Sequence, residues 1–419
     1  MMLHVYNVLS AIAVVMYSPW ILFKKGPEDK STFIRERFGM ARYKKTDMWI
    51  HAVSVGEVIA CLPFLKALKK EYPDKKITMS TTTYTGQGIA RKNFPEADRI
   101  MYVPVDTGFC VRRVVRAMRP ELFVTVETEL WPVLTSTLKK SGCTIIVLNG
   151  RISEKSFQGY KKIGFFMKEM LTYIDYLYMQ SDGDADRITL LGAEREKVGV
   201  MGNFKFDIAL ENAAPLAWLD HIEGKIFLAA STHEGEDEII LDAFSLIKKK
   251  YEKVRLIIAP RHPERFNNVA EMIDNRGLTY VRRSHIKGSE VSGQWLEADV
   301  ILLDSMGELS RVFSKVSVAF TGGSLVPVGG HNILEPAYWS RPVIFGPYMN
   351  NFPISKEFLE KSAAIQVTNA DNISETVVDI LLSEEKAAGL GKNAKAIVEK
   401  NTGAVNKALQ LVRRLNGTA

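Results

Sequence analysis

Several short stretches place carboxylates, cations and glycines at spacings suited to chemistry on an anionic or hydroxyl-bearing ligand. The first is Ser54-Val55-Gly56-Glu57, where Gly56 allows a tight backbone turn and Glu57 falls in the first turn of the helix that follows. An acidic residue there has an ordinary use, stabilising the helix dipole by about 0.3–1 kcal/mol. It also has a catalytic use, as a general base at the end of a strand. The stretch Glu127-Thr128-Glu129-Leu130-Trp131-Pro132 carries two carboxylates where a helix start needs one. Glu127, following a buried strand, needs a partner to offset its desolvation. In Gly202-Asn203-Phe204-Lys205-Phe206-Asp207 a lysine sits between two phenylalanines. It reads either as a side chain snorkelling to water or as a cation aimed into a cleft.

The second half is richer in such stretches. Ser231-Thr232-His233-Glu234-Gly235-Glu236 opens a helix, so its hydroxyls and backbone N–H groups suit either capping or an anion. Arg261 and His262 follow a strand, and a guanidinium fork matches phosphate oxygens. Met306, Gly307 and Glu308 lie at another strand-to-helix turn. Gly322, Gly323, Gly329 and Gly330 let backbone approach a ligand, and His331-Asn332-Ile333-Leu334-Glu335 follows directly. Glu335, early in a helix, is placed like the acidic residue that binds ribose hydroxyls in dinucleotide folds. Several such loops in one half point to a nucleotide site. Ser54, Gly56, Ser231, Thr232, Gly322, Gly323, Gly330 and His331 are expected as donor or acceptor contacts. There is no phosphate-binding G-x-x-x-x-G-K-[ST] loop and no H-E-x-x-H zinc helix. Asp182, Asp184 and Asp186 have a metal-like spacing, but their place at a helix start favours capping. No obligatory metal or other cofactor is expected.

These loops need rigid strands behind them. Apolar, β-branched runs at 48–53, 76–81, 100–103, 122–126, 145–148 and 176–179 alternate with helical patterns such as 57–72. After a break near 203–220 the pattern restarts, with strands at 226–230, 255–259, 300–303, 316–320 and 342–345 and a helix at 236–251. The residues from 370 to 415 read as helical. Alternation of this kind means βαβ units and parallel sheets. The expected fold is α/β, two Rossmann-like doubly wound domains facing a cleft, with ligands beyond the carboxyl ends of the strands. The expected boundaries are 1–24, 25–205 and 206–419, with the last helix packing back on the first domain.

The chain has 419 residues, 46% hydrophobic and 25% charged, which excludes wholesale disorder and collagen-like structure. Three widely spaced cysteines, Cys61, Cys110 and Cys143, supply neither a disulfide framework nor a metal motif. The net charge of +7 suits nucleic acid, anionic lipid or phosphorylated substrates without choosing among them. Its dispersal, with no recognition motif, argues against nucleic acid. From Leu3 to Phe23 there is no charged side chain, and Lys24, Lys25, Lys30, Arg35 and Arg37 follow. As a helix this run reaches about 31 Å, near the hydrocarbon thickness of a bilayer. A spanning anchor with the bulk of the chain on the cytoplasmic side is expected, ahead of a helix lying in the interface. A cleaved signal peptide lacks both its charged start and its cleavage site.

Taken in order, the apolar N-terminus, SVGE, ETELWP, GNFKFD, STHEGE, PRHPERF, DSMGEL and GGSLVPVGGHNILEPA resemble the bacterial 3-deoxy-D-manno-octulosonic acid (Kdo) transferases of lipopolysaccharide assembly. The resemblance covers nearly the whole chain. It implies a GT-B glycosyltransferase that moves Kdo from CMP-Kdo to a lipid A precursor with inversion, on the inner membrane. It further implies Glu57 as general base and Glu127 and Lys205 as transition-state stabilisers. It places CMP against Arg261, His262, Met306, Gly307, Glu308, Asn332, Ile333, Leu334 and Glu335. Asn203-Phe204 stand where relatives often have Ser-Leu, and residues 81–86 read TTTYTG, differences that bear on acceptor fit. Two other readings are a GT-B enzyme using another nucleotide sugar and a membrane-tethered nucleotide-binding protein without catalysis. The number of Kdo units added and the oligomeric state are not legible in the sequence.

Overall fold

The structure, a computed structural model, describes residues 2–23, 29–207, 216–286 and 294–417. Lys24 and Lys25, in the basic cluster after the apolar run, and part of the break at 203–220 lie outside the described residues. The chain forms two compact units, Met1–Asp207 with Asn401–Ala419, and Ile208–Lys400.

The first unit is built on seven strands: β1 (Met48–His51), β2 (Ile77–Thr81), β3 (Arg99–Tyr102), β4 (Leu122–Val126), β5 (Thr144–Gly150), β6 (Tyr176–Met179) and β7 (Val198–Val200). They lie in the order β3-β2-β1-β4-β5-β6-β7, and every neighbouring pair is parallel. Strands buried on both faces explain the continuous apolar runs of the sequence. Successive residues point to opposite faces, so Met48 and Ile50 join one core cluster and Trp49 the other. The order reverses between β1 and β4, which makes the loops after those two strands the natural ligand position.

The second unit repeats the design with β8 (Lys225–Thr232), β9 (Val254–Pro260), β10 (Tyr280–Arg282), β11 (Val300–Leu302), β12 (Val318–Thr321), β13 (Val343–Phe345) and β14 (Ala364–Gln366). Their order is β10-β11-β9-β8-β12-β13-β14, again all parallel. Here the reversal falls between β8 and β12. Three strands that the apolar runs do not show, β7, β10 and β14, are sheet edges of three residues each. Their side chains are half-buried for the most part, so no apolar run marks them.

The residues from 370 onward form three helices, Ala370–Leu382, Glu384–Asn401 and Ala404–Leu415. The last belongs to the first unit. Ala404, Ala408, Leu409, Leu411 and Val412 fill the same core cluster as Val58, Cys61 and Leu65 of the helix Val55–Glu71. Arg413 grips both oxygens of Glu71 at 2.7 Å. At the helix start, Asp207 accepts the N–H of Gly403 at 2.6 Å and that of Val405.

The apolar run forms the helix Met2–Phe23. Leu3 and Tyr6 pack on the first unit's core, Asn7 Oδ1 accepts the Gly108 N–H at 2.7 Å, and Ser10 donates to the Asp106 carbonyl at 3.2 Å. The Tyr6 hydroxyl meets the buried Asp106 carboxyl, which burial pushes up to about 6. Val5, Val8, Leu9, Ile12 and Met16 stay exposed. Tyr6, Asn7 and Ser10 therefore have protein partners, while these five apolar side chains face outward. Among the described residues, no helix is long and apolar enough to cross a membrane.

Candidate active site

In the first unit the loops after β1 and β4 carry the acidic residues. Ser54 caps the helix Val55–Glu71, and its hydroxyl donates to Glu57 Oε1 at 2.8 Å. The Val53 N–H donates to Glu57 Oε2 at 2.7 Å. This is a variant of the capping box in which the carboxylate takes the N–H of the residue before the cap, and it fixes the direction of the carboxylate. Each oxygen keeps a lone pair. The side chain is 8% exposed, so capping and a base role draw on one geometry. Gly56 does not make the turn expected of it. It sits inside the first helical turn with an ordinary φ, and a Cβ there would only touch Ser54 Oγ at 3.9 Å.

Glu127 directly follows β4 with φ +61°, left-handed backbone that costs a non-glycine residue roughly 1–2 kcal/mol. Its N–H is held by the Leu148 carbonyl at 2.9 Å. Burial and then the Glu57 charge push its carboxyl up, while Lys205 and Arg151 pull it down. Glu129 is pushed up to about 7 by burial, Glu57 and Glu127, against the Trp131 indole. Lys205 sits in the short 3-10 turn Phe204–Phe206. Phe204 is buried and stacks on Phe64 with centroids 5.6 Å apart, and Lys205 between the two phenylalanines remains exposed. Asn149, also left-handed, anchors the turn by accepting the Phe204 N–H at 3.0 Å. The unit thus gathers Glu57, Glu127, Glu129, Arg151 and Lys205 into one electrostatic group at the point where its strand order reverses.

In the second unit the loops after β8, β9 and β12 converge. Gly322 touches the first loop so closely that a Cβ would lie 2.4 Å from the Ser231 carbonyl oxygen. Glu236, fully buried, accepts N–H groups from His233 (2.9 Å), Gly323 (2.7 Å), Ser324 (2.9 Å) and Leu325 (2.8 Å). A carboxylate of the chain itself therefore occupies the N–H cradle of the Gly322-Gly323 loop, which corrects the expectation that those glycines offer their N–H groups to a ligand. Thr232 is also corrected: it is fully buried, and its hydroxyl donates to Asp237 at 2.5 Å. Asp237 pairs in turn with Arg265. Ser231 holds left-handed backbone, φ +57°, at the same strand end.

Around these loops stand Arg261 and His262, both exposed, with His233 and His331 beside them. The His262 ring meets His233 edge-on at 5.3 Å, and the Nε2 atoms of His233 and His331 are 2.7 Å apart. Met306 is 71% exposed, Gly307 takes φ +87°, and Glu308 is held by Arg283 at 2.9 Å. Glu335 receives the Asn332 amide at 3.0 Å, and burial raises its carboxyl. Ile333 and Leu334 point into the interior, and the Leu334 N–H donates to Asn332 Oδ1 at 3.0 Å, so neither side chain can reach a ligand. Gly330 abuts Met349, where a Cβ would lie 2.3 Å from sulfur. Asp182 and Asp184 lie in the first turn of the helix Asp182–Leu190, and Asp184 bonds Ser181 and the Ile152 N–H. Among the described residues no group of three or more His, Cys, Asp or Glu side chains is placed to share a metal ion.

The residues that sequence reading leaves unassigned are Glu129, Arg151, His233, Glu236 and Asp237. A signal for two of them exists. Gly235-Glu236-Asp237-Glu238 offers three consecutive carboxyl-bearing residues at one helix start, more than capping uses.

Two wound parallel-sheet units with loops gathered at their strand ends define a doubly wound α/β class by fold. Over 90% of this chain and 97% of the other, the fold is similar to that of a UDP-N-acetylglucosamine 2-epimerase, with a TM-score of 0.60 at 12% identity. A family model described as 3-deoxy-D-manno-octulosonic-acid transferase (kdotransferase) matches residues 32–208. The chain is 36% identical over 373 residues to the 3-deoxy-D-manno-octulosonic acid transferase of Haemophilus influenzae, covering 87% of this chain and 86% of that one. It is 38% identical over 387 residues to a bifunctional glycosyltransferase/methyltransferase of Fusobacterium nucleatum, spanning 90% of this chain and 58% of that longer protein. The chain belongs to the 3-deoxy-D-manno-octulosonic acid transferase family, and so to the glycosyltransferases.

Proposed function

We propose that the protein transfers Kdo from CMP-Kdo to a lipid A precursor with inversion at the anomeric carbon. The observation that carries this reading is the electrostatic group of Glu57, Glu127 and Lys205 in a chain of this family. Glu57 acts as general base: its free lone pair takes the proton of the acceptor hydroxyl as that oxygen attacks the anomeric carbon. The bond from that carbon to the phosphate oxygen breaks, and CMP leaves with the electron pair. Lys205 offsets negative charge beside Glu127 during the step. Arg261 and His262 receive the phosphate, and the loop at 306–308 with Asn332 and Glu335 holds the nucleoside.

The acceptor is a phosphorylated glycolipid, and the helix Met2–Phe23 fits that location. Its outward row of Val5, Val8, Leu9, Ile12 and Met16 supports a helix lying in the interface of the inner membrane, on the cytoplasmic side. Arg35, exposed on the next helix Lys30–Arg37, adds positive charge after it.

The test is incubation of the full chain with CMP-Kdo and a tetra-acylated lipid A precursor, followed by mass spectrometry of the lipid. A mass increase of one or more Kdo residues with release of CMP is expected. No product with CMP-Kdo, but product with a UDP- or GDP-sugar, overturns the donor assignment.

A further inference from the structure

The imidazoles of His233 and His331 lie with their planes 11° apart and their Nε2 atoms 2.7 Å from each other. Two Nε2 atoms that close need one proton between them, so one ring donates Nε2–H and the other accepts with a lone pair. The accepting ring then carries Nδ1–H, and the donating ring keeps a bare Nδ1. The pair sits at the reversal point of the second sheet, His233 after β8 and His331 after β12. Gly323 backs directly onto the His331 ring, since a Cβ there would lie 3.0 Å from its Cδ2.

The neighbouring charges leave this place short of anions. Arg261, Arg265 and the His262 ring face the pair. The nearest carboxylates are already committed: Glu236 to four backbone N–H groups, Asp237 to Thr232 and Arg265. Glu264 reaches His262 only at 3.8 Å and is exposed. Glu236 also fixes the pair in place, because it binds the His233 N–H and the loop that leads to His331.

We propose that His233 and His331 form a proton-sharing clamp for the donor's phosphate, neutral when empty and taking up one proton from solvent as the phosphate docks. Protonation at the bare Nδ1 leaves the shared Nε2–H in place, turns both Nδ1 atoms into donors and adds one positive charge. Burial, the neighbouring imidazoles and the arginines hold both rings below the ordinary histidine range, His331 at about 4, so the empty pair is neutral near pH 7. A phosphate supplies the counter-charge that reverses this preference. When the bond to Kdo breaks, the added charge on CMP meets a cation already in position. This inference rests on the donor reading above, and it assigns His233, Glu236 and His331 the handling of the leaving group.

Calorimetric titration of CMP into the full chain, in buffers of different ionisation enthalpy between pH 6.5 and 7.5, counts the protons bound. Cytidine serves as the phosphate-free comparison. The wild type is expected to take up about one proton per CMP and close to none with cytidine. His233→Gln and His331→Gln keep an amide near the lost Nε2 but cannot titrate. Each is expected to abolish the uptake and weaken CMP about tenfold. CMP binding with no uptake, or with the same uptake in both variants, overturns the clamp and leaves the donor reading standing. Failure of the folded wild type to bind CMP overturns both. Should the variants not fold, imidazole nitrogen resonances of the wild type give the answer. Two rings whose titration midpoints rise on adding CMP support the clamp, and unmoved midpoints overturn it.

Discussion

Ser54 donates its hydroxyl to Oε1 of Glu57 at 2.8 Å while accepting the Glu57 N–H at 3.4 Å, so cap and carboxylate hold each other. The two roles separate by substitution. Glu57→Gln keeps the size and most of the box, and it is expected to lower stability by about 1 kcal/mol or less. Transfer should fall by about 10²–10⁴-fold, the range for a positioned acid–base group. Ser54→Ala should give the reverse balance, with a loss of about 1 kcal/mol and a smaller loss of rate. Initial rates by lipid mass spectrometry, beside thermal unfolding, check both. Near-normal turnover of Glu57→Gln would remove the base assignment.

Glu236→Ala leaves four backbone N–H groups, two of them fully buried, without their acceptor. The cost of such orphans is about 1–3 kcal/mol each before relaxation, so a total of roughly 3–5 kcal/mol is expected. Hydrogen exchange read by mass spectrometry should show the amides of Gly323, Ser324 and Leu325 exchanging faster than in the wild type. Unchanged protection of that loop would show that the cradle holds without the carboxylate.

His51 ends β1 fully buried, its Nδ1 between the Ser80 carbonyl oxygen and hydroxyl, and burial lowers it to about 4. Its neutral form is the folded one. The stability it contributes is whole above pH 6.5 and is lost as pH falls toward 4, about 3 kcal/mol over that interval. In His51→Asn the acid limb of the unfolding profile should be flatter. A limb as steep as the wild type's would place the acid sensitivity elsewhere.

Glu129 has the opposite sign. Its carboxyl is raised from the ordinary 4.5 to about 7, so the folded state favours the protonated form. The associated stability is present below pH 4.5 and lost as pH rises through 7. Melting temperatures of Glu129→Gln, compared with the wild type from pH 4 to 8, should decline less on the alkaline side. Parallel curves would contradict the crowding of Glu57, Glu127 and Glu129.

Val8 and Leu9 point outward from the helix Met2–Phe23, 57% and 60% exposed. Val8→Glu and Leu9→Glu should reduce co-sedimentation with anionic lipid vesicles severalfold, because each removes buried apolar area and adds a like charge. Turnover on a short, water-soluble acceptor should stay unchanged. Full vesicle binding by both variants would place the membrane contact on another surface.

Most of the scaffold is legible because parallel strands buried on both sides read as apolar runs. Where a strand is an edge, as at Val198–Val200, Tyr280–Arg282 and Ala364–Gln366, half-burial removes that signal. The loop motifs are legible as motifs, but their internal division of labour is not. Thr232 and Gly322 look like ligand contacts because hydroxyls and glycines serve ligands. In three dimensions the hydroxyl binds Asp237, and the glycine admits a neighbouring backbone. The partners of Glu236 at residues 323–325 lie almost ninety residues away, and no local pattern announces a pairing at that separation.

The last helix, Ala404–Leu415, completes a core whose other members begin at Met48. During synthesis the early sheet must therefore emerge from the ribosome with that patch bare and wait while nearly two hundred further residues are made. Nascent chains stalled before residue 404 should recruit holdase chaperones, and release should follow translation of the final segment. Inheritance of the first unit is thereby bound to the whole chain, since its core cannot be transplanted without a stretch encoded on the far side of the second.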